Sequence, residues 1–379
     1  MIDPAGFLAS VRKQGVNYFV GVPDSLLKHL CAYIEDNVDR GKHVISANEG
    51  NAVGLAAGWF LGTGEPALVY MQNSGIGNSI NPLMSLADPE VYSIPMLLVV
   101  GWRGAPGTKD EPQHIKQGRI TPALLDALEI PYFLIDGTTE DPDSVISEAC
   151  NTMRQREAPA VILVMPGTFE SYTSVTTETD PYPLSREDAI KTVVGCLNHE
   201  AFIVSTTGKA SRELYEHRRS TKSENCRDFL TVGSMGHASS IAMALSSALR
   251  NRQVVCLDGD GSIIMHMGSM AIIGQKAPGN LVHIVLNNGA HESVGGQPTV
   301  GFGIDFVGIA KSCGYSWAMS VKDEDGILRA MKQACDAQGP GFIEVRVNGS
   351  ARGNLGRPKE SPIQNRKEFM KACRSDRIG

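Results

Sequence analysis

Short β-branched runs that alternate with helix-like stretches constrain this chain more than any other feature of its sequence. Eleven runs show this composition: YFVGV, HVIS, ALVYM, IPMLLVV, YFLI and AVILV in the first half, and FIVS, FLTV, VVCL, LVHIVL and FIEV in the second. Strands separated by helices run parallel and carry helices on both faces of their sheet. The sequence therefore predicts an α/β protein with two doubly wound parallel-sheet domains.

The segment PGTFESYTSVTTETDPYPLSRED separates the two halves and lacks periodic apolar positions. It is followed much later by a polar, basic C-terminal stretch in which Phe369 and Met370 are candidates to dock on the body of the protein. The expected boundaries are a first domain at 1–168, a linker at 169–185, a second domain at 186–350 and a tail at 351–379.

Overall charge and cysteine usage narrow the class of protein. A formal charge of −6 and an isoelectric point near 5.9 give no support for a nucleic-acid or membrane surface. The eight cysteines show no metal-ligand spacing. The N-terminal stretch MIDPAGFLASVRKQG meets polar residues before an apolar core forms, and no run of 18 apolar residues follows. We expect a reduced, cytoplasmic protein without nucleic-acid or membrane partners.

Two small polar clusters follow neighbouring strands, GDGS after VVCL and NNGA after LVHIVL. The carboxyl ends of parallel strands meet at the edge where open α/β sheets bind ligands. A helix that begins at GDGS offers free N–H groups to a phosphate, and Gly259 and Gly261 let the backbone approach it. Asp260, Asn288 and a carbonyl of the NNGA turn, assigned to Ala290, are suitable Mg²⁺ ligands. The pair of clusters predicts a metal-diphosphate site.

Three other interpretations compete with that site. The D-x-D-x-S order from Asp258 resembles a calcium loop, but its twelfth position is Ser269 instead of an acid. The stretch QNSGIGNSINPL resembles a dinucleotide-binding turn, but it lacks the third glycine. A simple tight turn would explain either cluster alone. The two clusters at this spacing favour the metal diphosphate.

The chain resembles the thiamine-diphosphate-dependent decarboxylases, whose cofactor motif is similar to GDGS followed by NN one βα unit later. In the first half, NEGNAVGLAAGWFLGTGEPALVYMQNSGIGNSINPL resembles their pyrimidine-binding domain. In the second half, VGSMGHASSIAMALSSA resembles the segment that bends the cofactor. The resemblance implies a pyrimidine domain followed by a diphosphate domain, with thiamine diphosphate and Mg²⁺ as cofactors. The linker is too short for the middle domain of the larger members.

The resemblance also implies roles for individual residues. Glu49 would hydrogen-bond N1′ of the aminopyrimidine, Met235 would wedge between the two rings, and the Gly233 carbonyl would accept from the 4′-amino group. The alternatives are a helix-start glutamate for Glu49 and a core methionine for Met235. The full set of predicted cofactor contacts is Glu49, Asn73, Thr207, Gly208, Gly233, Met235, Gly259, Asp260, Gly261, Ser262, Asn288 and Ala290.

Two further segments, GWRGAPGTKDEPQHIKQGRIT and NNGAHESVGGQPTVG, resemble decarboxylases whose 2-oxo acid substrate carries a second anionic group. This implies conversion of 3-phosphonopyruvate to phosphonoacetaldehyde and CO₂, in phosphonate biosynthesis, with the sulfonate analogue as the alternative substrate. Each basic residue has solvated surface charge as its alternative. The residues predicted to bind the second anion of the substrate are Arg103, Lys109 and Lys116. The predicted catalytic residues are Glu49, Asp24, Ser25 and His114.

The resemblance implies a homodimer or larger assembly, because in similar enzymes the cofactor bridges two subunits. Two other functions stay open at this point. A nicotinamide-dependent oxidoreductase requires GxGxxG and an acid about 20 positions later, and neither is present. A non-catalytic subunit of the same fold is disfavoured by the intact set of Glu49, Asp260 and Asn288.

Overall fold

The computed structural model describes residues 1–175, 182–221 and 226–375. The chain divides into two compact units, Met1–Glu178 with His291–Gln297, and Thr179–Ala290 with Pro298–Gly379. Residues 176–181 of the expected linker and 376–379 of the expected tail lie outside the described residues. The domain boundaries expected from the sequence stay a prediction.

The first unit is built on one parallel sheet. Its described strands are β1 (Tyr18–Gly21), β2 (His43–Ile45), β3 (Ala67–Gln72), β4 (Met96–Gly101), β5 (Tyr132–Ile135) and β6 (Ala160–Val164). Its described helices are α1 (Pro4–Lys13), α2 (Lys28–Asn37), α3 (Glu49–Thr63), α4 (Ile76–Pro82), α5 (Pro112–Ala127) and α6 (Pro142–Arg156). Along β3, Leu68 and Tyr70 pack into one apolar cluster and Val69 and Met71 into another. Alternate strand residues point to opposite faces, so helices cover both.

The second unit repeats this construction. Its described main-sheet strands are β7 (Phe202–Ser205), β8 (Asp228–Leu230), β9 (Val254–Gly259), β10 (Leu281–Asn287), β13 (Trp317–Val321) and β14 (Gly341–Arg346). The described helices are α7 (Arg186–Cys196), α8 (Lys209–Ser220), α9 (Ala238–Ala248), α10 (Asp260–Met265), α11 (Ser269–Lys276), α12 (Phe306–Cys313), α13 (Glu324–Asp336) and α14 (Pro362–Ser375). Two short strands, β11 (Ala290–His291) and β12 (Gln297–Pro298), form a separate pair that belongs to neither six-stranded sheet.

The two sheets share one topology. Their orders are β2-β1-β3-β4-β6-β5 and β13-β14-β10-β9-β7-β8, and all the strand pairs described in these two sheets are parallel. Numbered within its own unit, each sheet runs 2-1-3-4-6-5. The chain therefore reverses direction between β1 and β3 in the first unit and between β7 and β9 in the second. Open α/β sheets bind ligands at such switch points.

The predicted fold class is confirmed, because each of the eleven predicted runs overlaps a strand of the two sheets. The sequence did not predict β13. Its segment WAMSV lies at a sheet edge, pairs with β14 and is only partly buried, so it has no continuous apolar run.

The C-terminal helix α14 covers the edge strand β8. Asn365 Nδ2 donates to Asp228 O at 2.9 Å, and Leu230 N donates to Asn365 Oδ1 at 3.2 Å. Phe369 is buried against Phe202, which confirms its predicted docking, whereas Met370 is exposed. The helix thus protects an edge whose backbone groups would otherwise be unpaired. Among the described helices, none is both long enough and apolar enough to cross a bilayer.

Candidate active site

The carboxyl ends of β1 and β3 hold Asp24, one of the predicted catalytic residues. Gln72 Nε2 donates to Asp24 Oδ1 at 2.5 Å, and Leu26 N donates to Oδ2 at 3.0 Å. Gly101, at the end of β4, lies so close to the carboxylate that a Cβ there would overlap it. Burial raises the pKa of Asp24 above its ordinary value, although these hydrogen bonds and the nearby Arg103 oppose the shift. A buried carboxyl with a raised pKa suits proton transfer.

Arg103, predicted to bind the substrate anion, already forms an ion pair. Its Nε donates to Asp110 Oδ2 at 2.7 Å, its Nη2 pairs with Asp110 Oδ1, and its Nη1 donates to Ser25 Oγ at 2.7 Å. Burial alone raises the pKa of Asp110, but Arg103 and backbone donors outweigh it and hold this pKa well below its ordinary value. Arg103 is therefore a fixed cation whose two-donor edge faces Asp110. The sequence alone did not predict this role of Asp110.

Asn73, a predicted cofactor contact, is buried among protein partners. Its Nδ2 donates to Arg103 O and to Thr121 Oγ1, both at 3.0 Å, and its Oδ1 accepts from Arg103 N at 3.1 Å. Both amide hydrogens are thus used, one to fasten the end of β3 to the turn after β4 and the other to fasten it to α5. The contact of Asn73 with the cofactor stays a prediction, and only the second lone pair of Oδ1 remains available for it.

The remaining predicted substrate residues lie on the loop and helix that follow β4. His114 is buried, and its Nδ1 has no hydrogen-bond partner among the described residues. Burial lowers the pKa of His114, so the ring is neutral near pH 7 and can accept a proton. Lys109 and Lys116 are exposed. Their exposure is typical of solvated surface charge, so the structure does not support the predicted contact of these two lysines with the substrate anion.

Glu49 occupies the first position of α3, after the N-cap residue Asn48. The glutamate is buried, and its Oε2 accepts from Asn78 Nδ2 at 2.7 Å. Gly75 lies against Oε1, where a larger residue would overlap the carboxyl group. Gly75, in the turn after β3, and Asn78, in α4, thus hold the carboxyl in one orientation. Such a shielded carboxyl can share a proton with a ring nitrogen, and its role at N1′ stays a prediction.

In the second unit, the predicted metal ligands lie at the carboxyl ends of β9 and β10. Burial raises the pKa of Asp260 to about 6, and a hydrogen bond from Thr299 Oγ1 opposes the shift. Asn288 is buried and its Oδ1 accepts from Ala290 N at 3.2 Å. A buried carboxylate without a cation is costly, and an all-oxygen donor set suits Mg²⁺. The residues therefore fit the metal that the sequence predicted.

A segment at residues 299–301 packs directly on this donor set. Thr299 N donates to Gly289 O at 2.8 Å. A Cβ added at Gly301 would lie 2.6 Å from Asn287 Oδ1 and 2.8 Å from Asp260 Oδ2. These residues end the stretch NNGAHESVGGQPTVG, whose resemblance indicated the substrate. Their packing on the metal ligands was not predicted, because nothing in the local pattern shows that the chain returns to the GDGS turn.

We expect Gly301→Ala to weaken Mg²⁺ affinity in the presence of thiamine diphosphate by about 10-fold, the lower end of the range for residues that support metal ligands. The added methyl group would push against the Asp260 carboxylate. Gly303→Ala is the matched control, since a Cβ there meets only Val300 O at 3.4 Å. Equal affinities of the two variants in a Mg²⁺ titration would contradict this packing.

Three loops that carry predicted cofactor contacts are joined through hydroxyl groups. Thr206 Oγ1 and Ser262 Oγ lie 3.0 Å apart, and Ser262 Oγ also accepts from Gly236 N at 3.0 Å. Thr207 Oγ1 accepts from Gly233 N at 2.9 Å. The N-cap residues of α8 and α10 are Gly208 and Gly259, which have no side chain to cap these helices. The two helices follow β7 and β9, the strands on either side of the switch point, where open α/β sheets bind ligands.

The turn around Met235 places this side chain outside the apolar core. Gly233, Ser234 and Gly236 have positive φ angles of 73°, 50° and 87°. Met235 is only partly buried and belongs to no apolar cluster of the described residues. A core role for this methionine is therefore not supported, and its predicted role between the cofactor rings stays a prediction.

Comparison with known proteins assigns the class. The N-terminal TPP binding domain of the thiamine pyrophosphate enzymes matches residues 5–128, and their C-terminal TPP binding domain matches residues 206–345. This chain belongs to the thiamine pyrophosphate enzyme family.

The individual relatives refine this assignment. The chain is 36% identical to a phosphonopyruvate decarboxylase of Streptomyces viridochromogenes, over 97% of this chain and 94% of the relative. It is 35% identical to a phosphonopyruvate decarboxylase of Streptomyces hygroscopicus, over 97% and 93%. It is 29% identical to a sulfopyruvate decarboxylase of Methanosarcina acetivorans, over 97% of both chains. The chain is a thiamine-diphosphate-dependent carboxy-lyase, and the predicted family, enzyme class and organic cofactor are confirmed.

Proposed function

We propose that this enzyme decarboxylates 3-phosphonopyruvate to phosphonoacetaldehyde and CO₂. The observation that carries the proposal is Arg103, a cation that Asp110 and Ser25 hold in one geometry beside the buried Asp24. A second anionic group on the substrate requires such a fixed cationic partner. The extent of the match to two phosphonopyruvate decarboxylases supports the same substrate.

Thiamine diphosphate, when bound, supplies the electron sink for loss of CO₂. The protein residues then have separate tasks. Asp260, Asn288 and the Ala290 carbonyl would hold the Mg²⁺ of the diphosphate. Glu49 would hold a proton at N1′ of the aminopyrimidine. Asp24 is proposed to deliver a proton to the substrate carbon that loses CO₂.

The enzyme is also proposed to assemble with itself. The family resemblance supports a homodimer or larger homo-oligomer, and a cytoplasmic location stays a prediction. An anionic 2-oxo acid is the proposed small-molecule partner. Light scattering of the purified chain tests the assembly, and an apparent monomer would contradict it.

The substrate is tested by CO₂ release from phosphonopyruvate, sulfopyruvate and pyruvate. We expect Arg103→Ala to lower kcat/KM for phosphonopyruvate by about 10- to 100-fold, the scale of one lost charge-assisted hydrogen bond. Pyruvate lacks the second anion, so its lower kcat/KM should change much less. Lys332→Ala, at an exposed lysine of α13, is the control.

The wild-type enzyme separates the remaining alternatives in the same assay. Phosphonate can carry two negative charges near neutral pH and sulfonate only one, so the fixed cation favours phosphonopyruvate. A preference for sulfopyruvate would transfer the proposal to sulfopyruvate decarboxylation. A preference for pyruvate would show that the basic loop after β4 is only solvated surface.

A further inference from the structure

Glu344, in β14, is a buried carboxylate to which none of the roles above applies. Its Oε1 accepts from Asn287 Nδ2 at 2.7 Å, and its Oε2 accepts from Ser320 Oγ at 2.5 Å. Arg346 Nε lies 3.2 Å from Oε1 and supplies the compensating charge. A carboxylate that is only 1% exposed destabilises the folded protein unless hydrogen bonds and an opposite charge replace its contacts with water. Its partners therefore indicate what it does.

Asn287 is the partner that connects Glu344 with the metal site. This side chain is fully buried at the end of β10. Besides the bond to Glu344, its Nδ2 donates to Gly301 O at 2.8 Å, and its Oδ1 accepts from Gly289 N at 3.1 Å. A carboxylate can only accept hydrogen bonds, so Glu344 requires the amide nitrogen on its own side. The amide oxygen must then face Gly289.

The orientation of Asn287 controls two segments that adjoin Asp260. Gly289 lies in the turn that carries Asn288 and Ala290, and Gly301 packs on the Asp260 carboxylate. A flipped amide would place two donors together at Gly289 and two acceptors together at Gly301. Both segments would then have to move.

We propose that Glu344 is a positioning residue for the magnesium site. It acts through Asn287, which it holds in the one orientation that fastens the NNGA turn and the 299–301 segment around Asp260. The proposal rests on the proposed ligand role of Asp260, Asn288 and Ala290. Groups one layer behind metal ligands typically change metal affinity by about 10- to 100-fold.

Two variants of Glu344 separate orientation from charge. Glu344→Gln removes the charge but keeps an oxygen that can accept from Asn287. Glu344→Met keeps the side-chain length and removes both the charge and the acceptor. Ser320→Ala is the matched control, because it removes a different hydrogen-bond donor to the same carboxylate and leaves the bond to Asn287 in place.

The measurement is Mn²⁺ affinity by electron paramagnetic resonance of the whole protein with saturating thiamine diphosphate. We expect Glu344→Met to weaken Mn²⁺ binding by at least about 10-fold. Glu344→Gln should remain within about threefold of wild type, and Ser320→Ala within about twofold, since both keep the orientation of Asn287. Equal losses in the Met and Gln variants, or no loss in the Met variant, would overturn the proposal.

A double-mutant cycle tests the route through Asn287. Asn287→Ala should weaken Mn²⁺ binding as much as Glu344→Met, and the double variant should be no weaker than Asn287→Ala alone. Additive losses would show that Glu344 acts by another route and would overturn the inference. If Glu344→Met does not fold, unchanged Mn²⁺ affinity of Asn287→Ala overturns it equally. A wild-type protein that binds no Mn²⁺ with thiamine diphosphate would instead contradict the proposed metal site itself.

Discussion

Glu49→Gln should retain thiamine diphosphate but lose about 10²- to 10⁴-fold in turnover, the range of general acid–base catalysis. An amide cannot supply the proton at N1′, whereas its oxygen can still accept from Asn78 Nδ2, so the local structure should persist. The measurement combines steady-state CO₂ release with exchange of the C2 proton of the bound cofactor, followed by NMR.

The control for Glu49 is Asn78→Ala, which removes the partner of Oε2 and leaves the carboxyl in place. Its turnover should fall much less than that of Glu49→Gln. If Glu49→Gln kept near-normal C2 proton exchange, a different acid would serve the aminopyrimidine.

Asp260→Ala should lose Mg²⁺-dependent cofactor binding by at least about 100-fold, beyond the effect of residues that only support metal ligands. The variant removes the one carboxylate of the proposed donor set. Gel filtration with Mg²⁺, followed by ultraviolet absorbance of the retained cofactor, measures this loss. Asp336→Ala, at an exposed carboxylate of α13, should bind the cofactor as the wild type does.

Without cofactor, Asp260→Ala should not destabilise the protein. The folded pKa of Asp260, about 6, exceeds the ordinary value of 3.8, so the cofactor-free fold loses stability as the pH rises from 3.8 to about 6 and bears the full cost of the ionised carboxylate above that pH. Asp260→Ala removes this cost, and its melting temperature at pH 7.5 without cofactor should equal or exceed that of the wild type. A large fall would show that Asp260 is mainly a structural residue.

The ion pair of Arg103 with Asp110 was not predicted from the sequence. Basic residues after β4 predicted an anion site, and local composition alone could not distinguish a fixed guanidinium from solvated lysines. The structure makes the distinction through burial and hydrogen bonds, which place Arg103 against Asp110 and Ser25 and leave Lys109 exposed. Asp110 lies seven positions after Arg103, on a loop without a periodic pattern.

The sequence by itself determined the alternation of strands and helices, and with it the positions of GDGS and NNGA at strand ends. This was possible because strand and helix periods are local, and the carboxyl ends of parallel strands share one edge. Only the tertiary structure decided which distant groups surround those clusters. Glu344 meets Asn287 across 57 positions of the chain, and Thr299 meets Asp260 across 39. Strand register and the path of the returning segment set such contacts, and no local pattern encodes either of them.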